Sequence, residues 1–352
     1  MILTPEINMK SLLSIIFLFT VSICTISETW ALERIRWKVQ VISNEVYWVD
    51  LWKEYVEIVK QLSDGKIRFK IYDPNSIVPN AEAWGAIADD QLDAALSSPI
   101  YLSYKIPAVH FFSGVPFGPG FIEHTAWMRY GGGQELKNKI YSKMGIYAFD
   151  CVMTPPESGG WFENEIIELD QLKGMKIRFL GLGAKVMKRI GMEPVLLNWK
   201  DVVPALKNGR ISAVEIGPPH NDIVPGFHKI IKHNYYPGWF QPTFPIELIL
   251  NKNKWNKLSV TAKEIIKTSC EKFYLSSLIK LTSFQPDAMN QMKKDGVKYE
   301  QWKPQHLKRF KKIWEDIAEE EAEKDSLFAE VYKSHKDFRK KYAIWGDRAY
   351  LK

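Results

Sequence analysis

Residues 172–195, LKGMKIRFLGLGAKVMKRIGMEPV, carry the pattern that decides the fold. A Lys173-Gly174 turn leads into an alternating run in which Met175, Ile177 and Phe179 share one face, so Arg178 points to the other. A helical segment, GAKVMKRIGM, and a second short strand, EPVLLNW, follow. The same rhythm continues through KDVVPALKNGR, a helix, and ISAVEIG, a strand. Strand, helix and strand in alternation predict an α/β domain built on parallel pairing.

An earlier block has the same design. ERIRWKVQVIS alternates with Ile35, Trp37, Val39 and Val41 on one face. A helix follows, with Val49, Trp52, Val56 and Val59 as its apolar stripe and Gly65 at its end, and KIRFKIYD is the next strand. NAEAWGAIADDQLDAALSS then supplies a helix and the strand at 94–96. Between the two blocks, VPFGPGFIEHTAWMRYGGGQEL holds turns and a helix. Residues 259–295 contain no glycine and one proline, Pro286, which predicts a helix at 259–292 long enough to cross both blocks. A further helix places Leu307, Phe310, Trp314 and Ile317 on a face that packs on the body.

The chain has 352 residues, 46% of them hydrophobic and 25% charged, which suits two globular domains. At the N-terminus, Lys10 precedes an apolar run at 12–24, and Thr29-Trp30-Ala31 is a small-x-small site. Residues 1–31 are therefore predicted to be a secretory signal peptide, cleaved after Ala31, and too short for a comfortable membrane span. Removing them raises the net charge from +7 to +8. The lysines are interleaved with acids instead of forming one block, so a solvated basic surface is expected in place of a nucleic-acid site. Of three cysteines, Cys24 leaves with the leader; Cys151 and Cys270 are expected as two buried thiols, although spacing does not say whether they pair.

Enzyme signatures are missing. GLGAKV lacks the third glycine of a dinucleotide loop, and neither a phosphate-binding loop nor a GxSxG elbow occurs. His228 and His233 lie five apart, off the spacing of a helical zinc pair. Arg178 and Glu215 do fall at the ends of predicted strands, where ligands of α/β sheets gather. Either the two pair with each other, or Arg178 grips a carboxylate while an oxygen-ligated cation separates that anion from Glu215. Spacing does not choose between these.

Several stretches together resemble one family: DctP-type solute-binding proteins of tripartite ATP-independent periplasmic (TRAP) transporters. They are LKGMKIRFLGLGAKVMKRIGMEPV, DGKIRFKIY with NAEAWGAIADDQLDAA, VPFGPGFIEHTAWMRYGGGQEL, ESGGWF, ISAVEIGPPHND and YYPGWFQPT. The last four resemble the subgroup for small 2-oxo and 2-hydroxy monocarboxylates. The resemblance covers essentially the whole mature chain and implies a two-lobed periplasmic-binding-protein fold, with a ligand cleft between the lobes and a long helix spanning both. Expected boundaries are 32–155 plus 244–275 for lobe 1 and 156–243 plus 285–352 for lobe 2.

The resemblance makes Arg178 the carboxylate anchor and places a bridging Ca²⁺ or Na⁺ at Glu157, Glu215 and the main chain of Ile216. Glu157 stands where the subgroup has glutamine and Ile216 where it has tryptophan; the added charge favours Ca²⁺. Tyr101, Trp239 and Phe240 are the expected pocket aromatics, with Tyr101 as a hydrogen-bond donor; Trp161, Gln241, Asn44, Glu45, His220 and Asn221 are lesser candidates. The implied partners are a small carboxylate, TRAP membrane permease subunits and, as in some members, a second copy through the C-terminal helices. The implied place is the periplasm. Two other readings remain: a ligand-binding sensor component, and an extracytoplasmic enzyme using Glu157 and Glu215 as an acid–base pair.

Overall fold

The computed structural model describes residues 32–42, 46–197 and 199–349, with side chains 46–49 left aside. The leader reading of 1–31 and the candidates Asn44 and Glu45 lie outside the described residues. Eleven strands are described: β1 (Ile35–Val41), β2 (Ile67–Tyr72), β3 (Ala94–Ser97), β4 (Ile146–Thr154), β5 (Trp161–Phe162), β6 (Lys176–Arg178), β7 (Glu193–Val195), β8 (Ala213–Val214), β9 (His233–Tyr236), β10 (Phe244–Asn251) and β11 (Lys298–Gln301). The helices used below are α1 (Val46–Leu62), α2 (Phe121–Tyr130), α3 (Gly133–Ser142), α4 (Gly181–Ile190), α5 (Val260–Lys294), α6 (Pro304–Lys324) and α7 (Ser326–Ala349).

Two sheets result. The first has the order β2-β1-β3-β10-β4, the second β11-β9-β5-β8-β6-β7. In the first, β1 pairs parallel with β2 and β3, burying Ile35, Trp37, Val39 and Val41, with Trp37 stacked on Phe69. β10 enters between β3 and β4 antiparallel to both. In the second, β6 lies parallel to β7 and β8, so the ends of β6 and β8 come out side by side. α4 stops where Gly191 takes φ 110°, a left-handed turn that lets Met192 N–H reach Met187 O at 3.1 Å.

α5 joins the sheets. Ser259 caps it through Ala262 N–H; Ile266, Cys270, Phe273 and Leu281 enter the core of the first lobe, and Met292 enters that of the second. Ser277 Oγ accepts from Met153 N–H on β4 at 3.2 Å. Cys151 on β4 and Cys270 on α5 form a disulfide across 119 residues, not the pair of separate thiols expected. Their pairing follows from β4 running directly beneath the helix, which neighbouring residues in sequence do not reveal.

α7 also departs from expectation. The expected lobe 2 includes residues 285–352, yet α7 packs on lobe 1: Trp127 donates to Ser334 at 3.3 Å, Lys139 pairs with Glu330 at 2.6 Å, and Phe111 meets Phe328 edge-on. α6 does sit on lobe 2, with Arg189 bidentate on Glu320 at 2.8 Å. The break at Asp325 sends the chain back across. Among the described residues no helix is long and apolar enough to cross a membrane.

Candidate functional site: a cleft with one guanidinium and two carboxyls

The site lies where β4, β6, β8 and β10 approach each other. Because Arg178 registers with Val214, Glu215 comes next to Arg178, and its N–H reaches Arg178 O at 2.9 Å. The Arg178 guanidinium in turn donates from Nη1 to Glu215 O and sits 3.6 Å from its carboxylate. Glu157, just past β4, reaches the same place from the first sheet, accepting from Gln241 Nε2 at 2.8 Å. All three charged residues are buried. Gly238 presses on this turn: a Cβ there would fall 2.0 Å from Glu157 O, so no larger residue fits without moving Glu157.

Burial raises both carboxyls above their usual range. Glu157 is pushed furthest, with the Glu215 charge as the next cause. Glu215 is partly held down by Arg178 and by the Leu180 N–H. Two buried carboxyls in contact with each other, with the guanidinium 3.6 Å from Glu215 as their nearby cation, carry an uncompensated charge, which a shared proton or a cation relieves. Three buried atoms here have no hydrogen-bond partner: Arg178 Nε, Glu157 Oε2 and Thr154 Oγ1. Unpaired buried polar groups are rare and mark a place a ligand completes.

Around them is a cavity of about 40 Å³, walled by Tyr101, Thr154, Glu157, Arg178, Glu215, Ile216, Asn221, Gln241 and Phe244 among others. The structure thus brings together Arg178, Tyr101, Glu157, Glu215 and Ile216. Trp239 and Phe240 do not line it. Their rings are buried in the core against Phe117, Phe179 and Phe310, because the loop before β10 turns them away as it turns Gln241 inward. Trp161 is likewise core, donating to the buried Asp222 at 2.7 Å. His220 packs on Phe284 of α5, whereas its neighbour Asn221 faces the cavity. Thr154 and Phe244 are wall residues that sequence reading missed; both sit at strand ends on opposite sides of the antiparallel β4–β10 pair. A larger hollow of about 910 Å³ runs along α6 and α7. The cleft is the better site despite its size, since it gathers the buried charges at strand ends.

For a cation, the donors at hand are the Glu157 and Glu215 carboxylates, with Ile216 also in the cavity wall. No group of three or more His, Cys, Asp or Glu gathers to hold a metal among the described residues. A cation here would therefore need oxygens from its ligand as well. The orphaned Glu157 Oε2 and the raised carboxyls fit an oxygen-ligated ion.

Residues 39–325 match the family described as bacterial extracellular solute-binding protein, family 7 (DctP). The chain belongs to this family. A curated family relative, the monocarboxylate 2-oxoacid-binding periplasmic protein of Nostoc sp., is 32% identical over 287 residues, 82% of this chain and 79% of that one. A TRAP periplasmic solute-binding protein from Colwellia psychrerythraea, solved with bound calcium and pyruvate, is 28% identical with a TM-score of 0.84, covering 91% of this chain and 99% of its own. One from Bordetella bronchiseptica, a mixed-occupancy dimer with copurified calcium and picolinate, is 26% identical with a TM-score of 0.84 over 90% and 95%. The two-lobed architecture of these family 7 proteins is the architecture seen here.

Proposed function

We propose that this chain captures a small 2-oxo or 2-hydroxy monocarboxylate together with a cation, and presents it to a TRAP-type membrane permease. The observation that carries the reading is the composition of the cavity: one buried guanidinium beside two buried carboxyls around about 40 Å³. Arg178 Nε and the Thr154 hydroxyl meet the ligand's carboxylate; a planar guanidinium binds such a group with charge-assisted hydrogen bonds. Glu157, Glu215 and the Ile216 carbonyl hold the cation, which neutralises the carboxyls and accepts oxygens of the ligand. Glu157, where the subgroup has glutamine, favours a divalent ion. The calcium and pyruvate in the Colwellia relative and the naming of the Nostoc relative support this reading.

Binding makes and breaks no bond, so the chain acts as a carrier and not as an enzyme. Closure buries the anion between lobes linked by the chain crossings near 155–160 and 237–243 and by α5; release follows reopening. The leader at 1–31 directs export. A homodimer through α7, whose Ile344 and Trp345 are 71% and 56% exposed, is the proposed assembly. The test is a thermal-shift screen of the mature protein against pyruvate, lactate, longer 2-oxo acids and C4-dicarboxylates, with chelator or added Ca²⁺. Saturable stabilisation by a 2-oxo acid that vanishes with chelator is expected. Stabilisation indifferent to chelator would remove the cation, and stabilisation by no monocarboxylate would overturn the reading.

A further inference from the structure

Lys137 of α3 is 0% exposed, and a lysine is almost never so unless paired. Its ammonium lies 2.6 Å from Asp150 Oδ1 on β4 and 2.6 Å from Glu247 Oε2 on β10. Tyr141, one turn further along α3, donates to Glu247 Oε1 at 2.9 Å. None of these residues lines the ligand cavity. Asp150 and Glu247 face each other across the β4–β10 ladder where its register slips. Glu247 stands opposite Asp150 and Ile246 opposite Val152, so Cys151 is an extra residue in β4, a β-bulge. The slip reverses the faces of the strand. Ile146 and Ala148 enter the core shared with α3, whereas Val152, also even-numbered, enters the core beneath α5. Thr154, two residues on and opposite Phe244, shares the face of Val152 and turns into the cavity. Without the extra residue it would point to the other face.

We propose that Lys137 is a positioning residue of the ligand site: it holds Asp150 and Glu247 opposite each other, which fixes the bulge at Cys151 and thereby the turn of Thr154 into the cavity. The inference rests on the Thr154 hydroxyl meeting the ligand's carboxylate, as in the proposed function. Stability alone does not account for the cluster, since apolar residues of similar volume in place of buried ions are often neutral or stabilising. Register is a different matter. Apolar side chains tolerate more than one pairing of two strands, but an ammonium set between two carboxylates fits a single one. A slip of β4 by one residue would swing Asp150 to the α5 face and leave Lys137 short of a partner in a dry core. The Cys151–Cys270 disulfide holds the bulged residue from the opposite face. Cluster and bridge thus grip β4 from both sides just ahead of Thr154.

The experiment is isothermal titration of the mature protein with pyruvate and with lactate, Ca²⁺ present. Thr154→Val and Asp150→Ala should each weaken binding about tenfold, the loss of one hydrogen bond to a charged group. The double variant should bind no more weakly than either, because Asp150→Ala has already turned the hydroxyl away. Asp150→Asn, which still accepts from Lys137, should restore most of the affinity. Ile140→Ala, which opens a cavity on the same buried side of α3, should lower the thermal midpoint and leave the affinity unchanged. Should Asp150→Ala not fold, the triple change Lys137→Met, Asp150→Ala and Glu247→Gln leaves no unpaired charge in the core and carries the same expectation. Wild-type affinity in Asp150→Ala or Thr154→Val, losses that multiply in the double variant, or an equal loss in Ile140→Ala overturns the inference and leaves the proposed function standing. Failure of the wild type to bind either acid overturns both.

Discussion

At the residue scale, the site depends on a guanidinium kept in place by the main chain beside it. Arg178 donates to the carbonyl of Glu215, so its plane is set by strand pairing before any ligand arrives. Arg178→Ala should weaken monocarboxylate binding by roughly 100-fold, the usual loss when one member of a buried charge pair is removed. Titration calorimetry reads the loss, and an unchanged far-UV circular dichroism spectrum separates it from unfolding. Retention of full affinity would show that another group holds the anion. Gly238 acts on the other wall. Because a Cβ there would meet Glu157 O at 2.0 Å, Gly238→Ala should weaken both cation and acid binding by displacing that turn. A Gly238→Ala protein with wild-type affinity and cation dependence would contradict that positioning.

At the element scale, β4 and α5 are tied twice, by the Cys151–Cys270 disulfide and by Ser277 on the Met153 N–H. β4 ends at Thr154 in the cavity wall, so this clamp fixes one side of the cleft to the helix that continues into the other lobe. The bridge closes a long loop and constrains the unfolded chain. Reduction, or the paired Cys151→Ser and Cys270→Ser changes, should lower stability by about 2–4 kcal/mol. The midpoint of urea unfolding measures this, and equal midpoints for oxidised and reduced protein would show that the bridge adds nothing. The elements themselves were largely readable: β1, β2 and β3, the alternation from β6 to β8, and α5 follow from apolar period and from glycine placement. β10 as an antiparallel insertion was not, since its neighbours β3 and β4 lie far away in sequence.

At the scale of the whole molecule, buried histidines make stability depend on pH. Burial pushes His110 and His124 down to about 4, helped slightly by Lys185 for the first and Lys137 for the second and opposed by Glu321 and Asp150. Both rings are neutral in the folded protein at pH 5 but would be protonated in the unfolded chain, whose imidazoles titrate near 6.5. At these two rings the unfolded state thus binds more protons between these values, and their contribution to stability falls as pH drops from about 6.5 towards 4, by up to about 3 kcal/mol for each ring, whereas the buried Glu157, Glu215 and Glu247, raised by burial, act in the opposite sense. Thermal midpoints across pH 4–8 for the wild type and for His124→Gln test this: the difference between the two should change as pH drops from about 6.5 towards 4, in the sense that the wild type loses more. A difference independent of pH would mean that His124 titrates alike in the folded and unfolded chain.

Local pattern by itself determined the two α/β blocks, the long helix, and the placement of Arg178 and Glu215 at strand ends, because periodicity and turn residues act over a few positions. Resemblance added the family and the pairing of Glu157 with Glu215. Only the tertiary structure decided which aromatics face the cleft. Trp239 and Phe240 have the composition of pocket residues, yet they fill the core while Gln241 and Phe244 turn inward. The same holds for the union of Cys151 with Cys270 and the return of α7 to the first lobe. Each depends on contacts between segments distant in the chain, and side-chain direction there is set by packing volume, which no local pattern encodes.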